Sequence, residues 1–500
     1  MDEEILSHQE NGTWELVQLP QHRKVIGSKW IYKCKVDENG QLVRYKARLV
    51  AQGYCQKYGL DYDLVFAPVV KQTTFRAMLT LASIRKMLAK HIDIKTAYLY
   101  GQLQEEIYMR QPPGYEIGNQ NDVCRLRRSL YGLKQAARVW NERIDRVLKA
   151  MGFHQSQADP CLYIQETSGT YIFLLIYVDD IIVICSTETE FANIVETLNG
   201  QFKITVMEDL KLFLGIQVRL EAGQYRINQR AYLCRLFEKF GMKDAKTSKV
   251  PMDPGFLQQK EEASERLDSV DQYQSLIGAL LYVAVSTRPD ISIATSILGR
   301  RVQAPTVADW NEAKRILRYL KHTVDLELCL GHLGEDNKQL ECYVDADWAG
   351  DISDRKSSSG YLFKFHGGVI DWSCRKQKCV ALSSTEAEYI ALGECLQEVL
   401  WIRKLMDDIG EQLDFPIPVK EDNQSCIALT KADRNEKKSK HIDTKYNFVK
   451  DLVHQGVVRL QYCPSEHMEA DLLTKPLPAV KLKNLRSAIG IKPISVEEEC

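Results

Sequence analysis

No C-x-x-C pair occurs in the sequence, although it holds 14 cysteines, and the closest two, Cys374 and Cys379, are separated by four residues. That argues against zinc ribbons and against a secreted disulfide framework, and for a reducing compartment. There is no G-x-G-x-x-G and no G-x-x-x-x-G-K-[ST] loop, so dinucleotide and P-loop nucleotide binding are excluded. Long apolar runs are also missing. The longest, YIFLLIYV at 171–178, stops after eight residues at two aspartates, far short of the ~20 a membrane helix needs. The opening MDEEILSHQE has neither a basic nor an apolar segment of the signal-peptide kind. A soluble, intracellular chain with no membrane partner is expected.

Net charge is lacking too: 66 Lys and Arg stand against 67 Asp and Glu. A uniformly basic nucleic-acid coat is excluded, and 45% hydrophobic residues exclude an acidic disordered chain. The positive charge present is local. Residues 21–50 hold eight Lys/Arg against Asp37 and Glu38, residues 124–149 hold eight against two acids, and residues 431–450 hold seven against three. Lysines often just coat helices, but three islands interleaved with Trp30, Tyr32, Tyr45, Tyr131 and Trp140 point to grooves that meet a polyanion.

At 500 residues the length predicts about three packed units. KWIYKCKVDENGQLVRYKARLV alternates around Asn39-Gly40 and predicts a β-hairpin. Helices are expected at 73–90, 134–151, 272–285, 307–321 and 385–409, and an exposed polar linker at 254–271. From 340 the strand-like pattern restarts. The tail ending EEEC is expected to fray.

Asp179-Asp180, set between YIFLLIYV and IIVIC, is the most informative pair. Adjacent carboxylates at the tip of an apolar hairpin repel each other and resist burial. Aspartate is at home in exposed turns, so a plain hairpin tip is one reading. A divalent cation held by hard oxygen ligands is the other, and it requires a second carboxylate strand. HIDIKTAYLYG offers Asp93 between Ile92 and Ile94. Paired strands would bring Asp93 to Asp179 around two metal ions, which phosphoryl transfer uses about 3.5–4 Å apart.

HIDIKTAYLYG, SLYGLKQAARVW and YVDD occur in the order of the reverse transcriptase motifs. NGTWELVQLP, KWIYKCK, RYKARLVAQGY, FAPVV and FLGIQV resemble the copia-type (Pseudoviridae) LTR retrotransposon polymerase, and the resemblance spans nearly the whole chain. It implies a mixed α+β and α/β fold: a right-hand polymerase followed by a ribonuclease H-like domain. The expected divisions are 1–250 for fingers, palm and the start of the thumb, 251–335 for a linker and helical thumb or connection, 336–480 for the ribonuclease H-like domain and 481–500 for the tail. Asp93, Asp179 and Asp180 would be the metal-binding catalytic carboxylates of the palm. Tyr98 falls where retroviral enzymes exclude a ribose 2′-OH. Lys46 and Arg48, alternating on one face of the hairpin, are candidates to clamp the incoming triphosphate. Gly132 would let backbone approach the nucleotide, with Lys134 supplying charge. Tyr131 stands where retroviral enzymes usually carry glutamine.

Four more acids follow residue 340: Asp345 in YVDADWAG, Glu386 in SSTEAEY, Asp422 in VKEDNQSC and Asp471 in EADLLTK. Asp345 and Asp347 share one face of a strand. Ser383 and Glu386 also have capping-box spacing, so Glu386 is open to a second reading as a helix start. Together the four resemble the metal-binding catalytic carboxylates of ribonuclease H. Lys438, Lys440 and His441, in KKSKHIDTKY, resemble a copia-type motif and are placed near substrate phosphate. His467 lies only four residues before Asp471.

The implied cofactor is Mg²⁺, two per active site, with Mn²⁺ as the alternative. RNA template, DNA primer, RNA–DNA hybrid and dNTPs are the implied ligands. Capsid, protease and integrase of the same element are the implied protein partners, in a cytoplasmic virus-like particle or in the nucleus. No zinc knuckle and no H-x-H…C-x-x-C finger is present, so the sequence reads as the C-terminal part of a longer polyprotein. The rival reading is a catalytically inactive or domesticated nucleic-acid-binding remnant.

Overall fold

A computed structural model describes residues 1–36, 42–119, 121–207, 209–258, 264–331, 340–431 and 440–494. The chain forms two compact units, one of residues 1–70 and 88–210, the other of residues 71–87 and 211–500. The expected mixture of helix and sheet is found in both.

The first unit is organised by a six-stranded sheet in the order Ile204–Met207, Leu88–Ile94, Asp180–Cys185, Thr170–Tyr177, Leu162–Thr167, His154–Gln155. Its centre is apolar on both faces. Ile181, Ile182, Val183, Ile184 and Cys185 are all inaccessible to solvent, which explains a continuous hydrophobic run in place of alternation. The amphipathic helix Ala136–Ala150 lays Trp140, Ile144 and Leu148 on this core. Helix Glu188–Asn199, started by a Thr187/Glu190 capping box, adds Phe191, Ile194 and Leu198. A smaller four-stranded sheet orders Trp14–Gln18, Asp122–Arg128, Gln102–Met109 and Val25–Ile26. Strands Ser28–Val36 and Leu42–Ala51 pair antiparallel as the predicted ribbon, while its Asn39-Gly40 turn lies outside the described residues.

In the second unit the expected helix at 73–90 runs from Gln72 to Arg85, and strand Leu88–Ile94 of the first unit begins within that predicted range. Eleven of its residues are buried, which is more than one amphipathic stripe provides. Arg76 anchors it. The guanidinium donates to the carbonyls of Ile370 (2.7 Å), Val285 (2.9 Å) and Ser286 (3.1 Å), lies 3.8 Å from Asp371 and stacks 3.9 Å from the Trp372 ring. The Thr73 hydroxyl donates to Asp371 at 2.6 Å.

One five-stranded sheet of this unit orders Leu212–Phe213, Ile216–Glu221, Gln224–Asn228, Leu326–Leu330 and Ile491–Pro493. The expected tail therefore carries a helix, Ala479–Ala488, and a strand paired with residues 326–328. Within the expected linker, Phe256 is buried and Arg301 sits 5.3 Å from its ring. The other sheet orders Gly368–Lys376, Ser358–Phe365, Leu340–Asp347, Ile417–Glu421 and Val458–Tyr462. Its first three strands are antiparallel and its last two join in parallel, with helix Ser384–Asp408 packed on the central strand. No helix among the described residues is long and apolar enough to cross a membrane.

Candidate active sites

In the first unit, strands Thr170–Tyr177 and Asp180–Cys185 form a hairpin whose turn is Val178-Asp179. Val178 adopts a positive φ of 55°, and its carbonyl accepts the indole N–H of Trp140 at 2.7 Å. The backbone N–H of Ile94 donates to the Asp179 carbonyl at 2.7 Å. These bonds fix the tip against strand Leu88–Ile94, where Asp180 lies directly opposite Asp93. The three predicted carboxylates are thus brought to one strand end. Burial, together with the charges of Asp180 and Asp93, holds the Asp179 carboxyl above its ordinary range. Carboxylates are the hard oxygen donors that a divalent cation takes; among the described residues, ligand atoms gathered within 4.8 Å of one another occur at a second cluster, in the other unit.

Arg48 is the predicted cation that reaches them. Its Nη2 lies 3.7 Å from Asp179 Oδ2, and its guanidinium sits 4.1 Å above the Tyr131 ring. Tyr131 meets Tyr98 edge to face at 4.6 Å, so Arg48, Tyr131 and Tyr98 form one continuous wall beside Asp179. Burial and the Asp179 charge push the Tyr98 hydroxyl up. Lys46 sits across from Lys33 in the ribbon, and its charge acts with that of Arg48 on buried Glu4. Lys134 donates to the Tyr62 hydroxyl at 2.9 Å and lies 4.5 Å from that ring. Gly132 has a different reason to be glycine from the one expected. Its φ is 93°, and an added Cβ would stand 2.1 Å from the Ala51 carbonyl oxygen and 2.6 Å from Val50. Close packing under the ribbon already requires glycine there.

In the second unit, carboxylate oxygens of Asp345, Glu388 and Asp422 lie within 4.8 Å of one another. Asp345 comes from the central strand, Asp422 follows strand Ile417–Glu421, and Glu388 projects from helix Ser384–Asp408. The expected Glu386 is not in the cluster. It is the helix start that its spacing also allowed: its carboxylate accepts the Leu382 N–H at 2.8 Å, and its own N–H donates to Ser383 Oγ at 3.2 Å. Glu388, two residues on, is 5% exposed. The signal for it was helix phase, since Leu392, Cys395, Leu396 and Val399 continue its buried face.

Asp471 is completely buried where helix Asp471–Thr474 begins. Lys475 Nζ stands 2.6 Å from Asp471 and 3.4 Å from Asp345, so it bridges the two. Lys481 also pairs with Asp471, and Thr474 Oγ1 donates to Asp345. Ser465 Oγ donates to Asp422 at 2.7 Å. Burial lifts the Asp345 carboxyl to about 6, with Asp471 and Asp422 adding to the rise and Lys475 opposing it. Burial and the charges of Glu421, Asp345 and Asp422 hold Glu388 well above the carboxylate range. Glu388 Oε2 is buried with no hydrogen-bond partner among the described residues. An orphaned acidic oxygen facing two further carboxylates fits a divalent cation.

His467 is exposed, 3.5 Å from Glu466. Lys438 lies outside the described residues; Lys440 and His441 open helix Lys440–His454, but their side chains are not described. No local sequence motif marks out a role for Glu421, Lys475 or His91. His91 alternates with Asp93 on its strand, and that spacing could have flagged it.

The family model described as reverse transcriptase (RNA-dependent DNA polymerase) matches residues 11–254. The foamy viral protease–reverse transcriptase solved in complex with RNA/DNA hybrid is 12% identical, with a TM-score of 0.47, over 99% of this chain and 55% of that one. The retrovirus-related Pol polyprotein from transposon TNT 1-94 of Nicotiana tabacum is 38% identical over 98% of this chain and 37% of its own length. The chain therefore spans little more than a third of that relative. A putative transposon Ty5-1 protein of Saccharomyces cerevisiae is 31% identical over 62% of this chain and is covered along its whole length. With its palm-like carboxylate hairpin and these relatives, the chain belongs to the copia-type retrotransposon Pol family, and its first half carries that family's reverse transcriptase domain.

Proposed function

We propose that this chain copies element RNA into cDNA, using RNA and then DNA as template, and cleaves the RNA of the resulting hybrid at a second site. The observation that carries the reading is the pair of separate acidic constellations, Asp93 with Asp179 and Asp180 at paired strand ends, and Asp345 and Asp422 with Glu388 of a neighbouring helix.

Asp93, Asp179 and Asp180 would hold the cations of the polymerase site, and Asp345, Glu388, Asp422 and Asp471 those of the nuclease site. Mg²⁺, two per site, would supply charge that activates the attacking oxygen and stabilises the leaving one, with Mn²⁺ an alternative. The chain's own residues do the rest. Arg48 binds triphosphate oxygens, and Tyr131 holds its guanidinium in plane for that contact. Lys46 extends the same basic face. The Tyr98 ring closes the space below the sugar and rejects an extra oxygen by sterics. Lys475 keeps Asp471 and Asp345 in register by bridging them. The basic residues of 21–50 and 124–149, and Lys438, Lys440 and His441, would bind primer–template phosphates. Element-encoded capsid, protease and integrase are the protein partners, within an intracellular particle.

The test is dTTP incorporation on poly(rA)/oligo(dT) with Mg²⁺, beside cleavage of a labelled RNA–DNA hybrid. Wild type performs both. No incorporation by soluble folded chain would favour the remnant reading.

A further inference from the structure

Asp180 and Asp93 stand directly opposite each other on neighbouring strands, so their side chains emerge on one face of the sheet. Left alone, two such carboxylates turn away from each other by whatever rotamer is open. Asp180 is not left alone. His91, on the same face of strand Leu88–Ile94 and diagonal to Asp180, places its Nε2 2.8 Å from Asp180 Oδ1. A carboxylate can only accept, so the imidazole donates from Nε2. His91 is 5% exposed, and among the described residues its Nδ1 has no protein partner. The ring thus spends its one protein hydrogen bond on this carboxylate. In strand Leu88–Ile94, where Ala89, Ile92 and Ile94 are also buried, an aliphatic residue would pack at position 91 at less cost.

We infer that His91 is a positioning residue for the polymerase site: by engaging Oδ1 it fixes the Asp180 rotamer and leaves Oδ2 as the oxygen offered to a cation. Asp180 accepts no other side-chain hydrogen bond among the described residues, so this contact is the restraint on its orientation. The role is one of geometry. It resembles the outer-shell hydrogen bonds that orient ligating carboxylates in metal sites generally. The inference rests on the proposed polymerase reading, and the experiment separates the two.

Mn²⁺ binding is read by loss of the free-ion EPR signal, using the full chain carrying Glu388→Gln and Asp422→Asn so that the second constellation is silenced. Poly(rA) with a dideoxy-terminated oligo(dT) primer and dTTP are present, so no turnover occurs. In this background His91→Leu should raise the Mn²⁺ dissociation constant on the order of 10-fold or more, the range seen when second-sphere partners are removed. His91→Gln, whose amide reaches the same oxygen, should restore binding to within about 3-fold. Loss of binding in Asp179→Asn with no change in His91→Leu would overturn the inference and leave the polymerase reading intact. Unchanged binding in Asp179→Asn would sink the polymerase reading itself. If thermal melting shows that His91→Leu does not fold, His91→Asn, whose amide is too short, replaces it. Equal affinity of the Asn and Gln variants then overturns the inference.

Discussion

Glu386 and Glu388 stand two residues apart on one helix and face opposite ways: Glu386 closes the helix start on the Leu382 N–H, and Glu388 is buried against Asp345 and Asp422. Two residues along a helix is a rotation of roughly 200°, so only one of the pair can face the sheet. Glu388→Gln should therefore abolish hybrid cleavage while leaving dNTP incorporation within a few-fold. Glu386→Gln should retain cleavage and cost about 0.5–1 kcal/mol at the helix terminus. Hybrid cleavage rates of the two variants, measured side by side, decide between them.

Asp179→Asn should remove nucleotide addition and spare hybrid cleavage. Loss of both activities in a folded Asp179→Asn protein would contradict two independent sites. The primer-extension assay with a parallel hybrid substrate reads both outcomes from one preparation.

Tyr98→Ala should admit ribonucleotides. The ring leans on Tyr131 beside Asp179, and under the proposed reading its loss would open the space below the sugar. The ratio of kcat/KM for dNTP over rNTP should fall by about 10–200-fold, the scale of discrimination by pocket shape. Single-nucleotide extension with each substrate measures it.

The Asp345 carboxyl, held at about 6 by burial first, binds a proton in the folded chain at pH values where the unfolded chain, near 3.8, has lost it. Its contribution to stability is therefore present below about pH 4 and is lost as pH rises to about 6. In EDTA, Asp345→Asn should gain several °C on wild type between pH 4 and pH 7. Adding Mg²⁺ should raise the wild-type melting temperature more at pH 7 than at pH 4. A pH-independent difference between the two proteins would contradict the buried charge.

Arg76→Ala should destabilise the second unit by about 3–5 kcal/mol, because Asp371 loses its buried partner. Three backbone carbonyls lose a donor at the same time. Denaturant unfolding followed by tryptophan fluorescence reports this through Trp372, on which the guanidinium stacks.

What the sequence made legible follows from what local pattern can encode. Asp179 and Asp180 stood out because apolar flanks made their charge costly, and the tip is where they lie. The choice within TEAEY turns on helix phase over about three turns, information carried by Leu392, Leu396 and Val399 and spread beyond the motif. Gly132 is expected to let backbone approach a nucleotide, whereas the neighbour it makes room for is Ala51, about eighty positions away in the chain, and no spacing rule names it. The strand Ile491–Pro493 has no local signal of its own, because its partner, Leu326–Leu330, supplies the reason for its order; the EEEC end expected to fray lies outside the described residues. Long-range pairing is the part a single sequence conceals.

Helix Gln72–Arg85 belongs to the unit whose remaining residues begin at Lys211, and Arg76 seeks Ile370, Asp371 and Trp372. On the ribosome this helix emerges long before strand Gly368–Lys376 has been made. At about 5–20 residues per second its apolar surface waits on the order of tens of seconds for its partners. The same threading means that no single cut yields two intact halves: a chain ended at residue 250 keeps the helix and loses the strand that buries it.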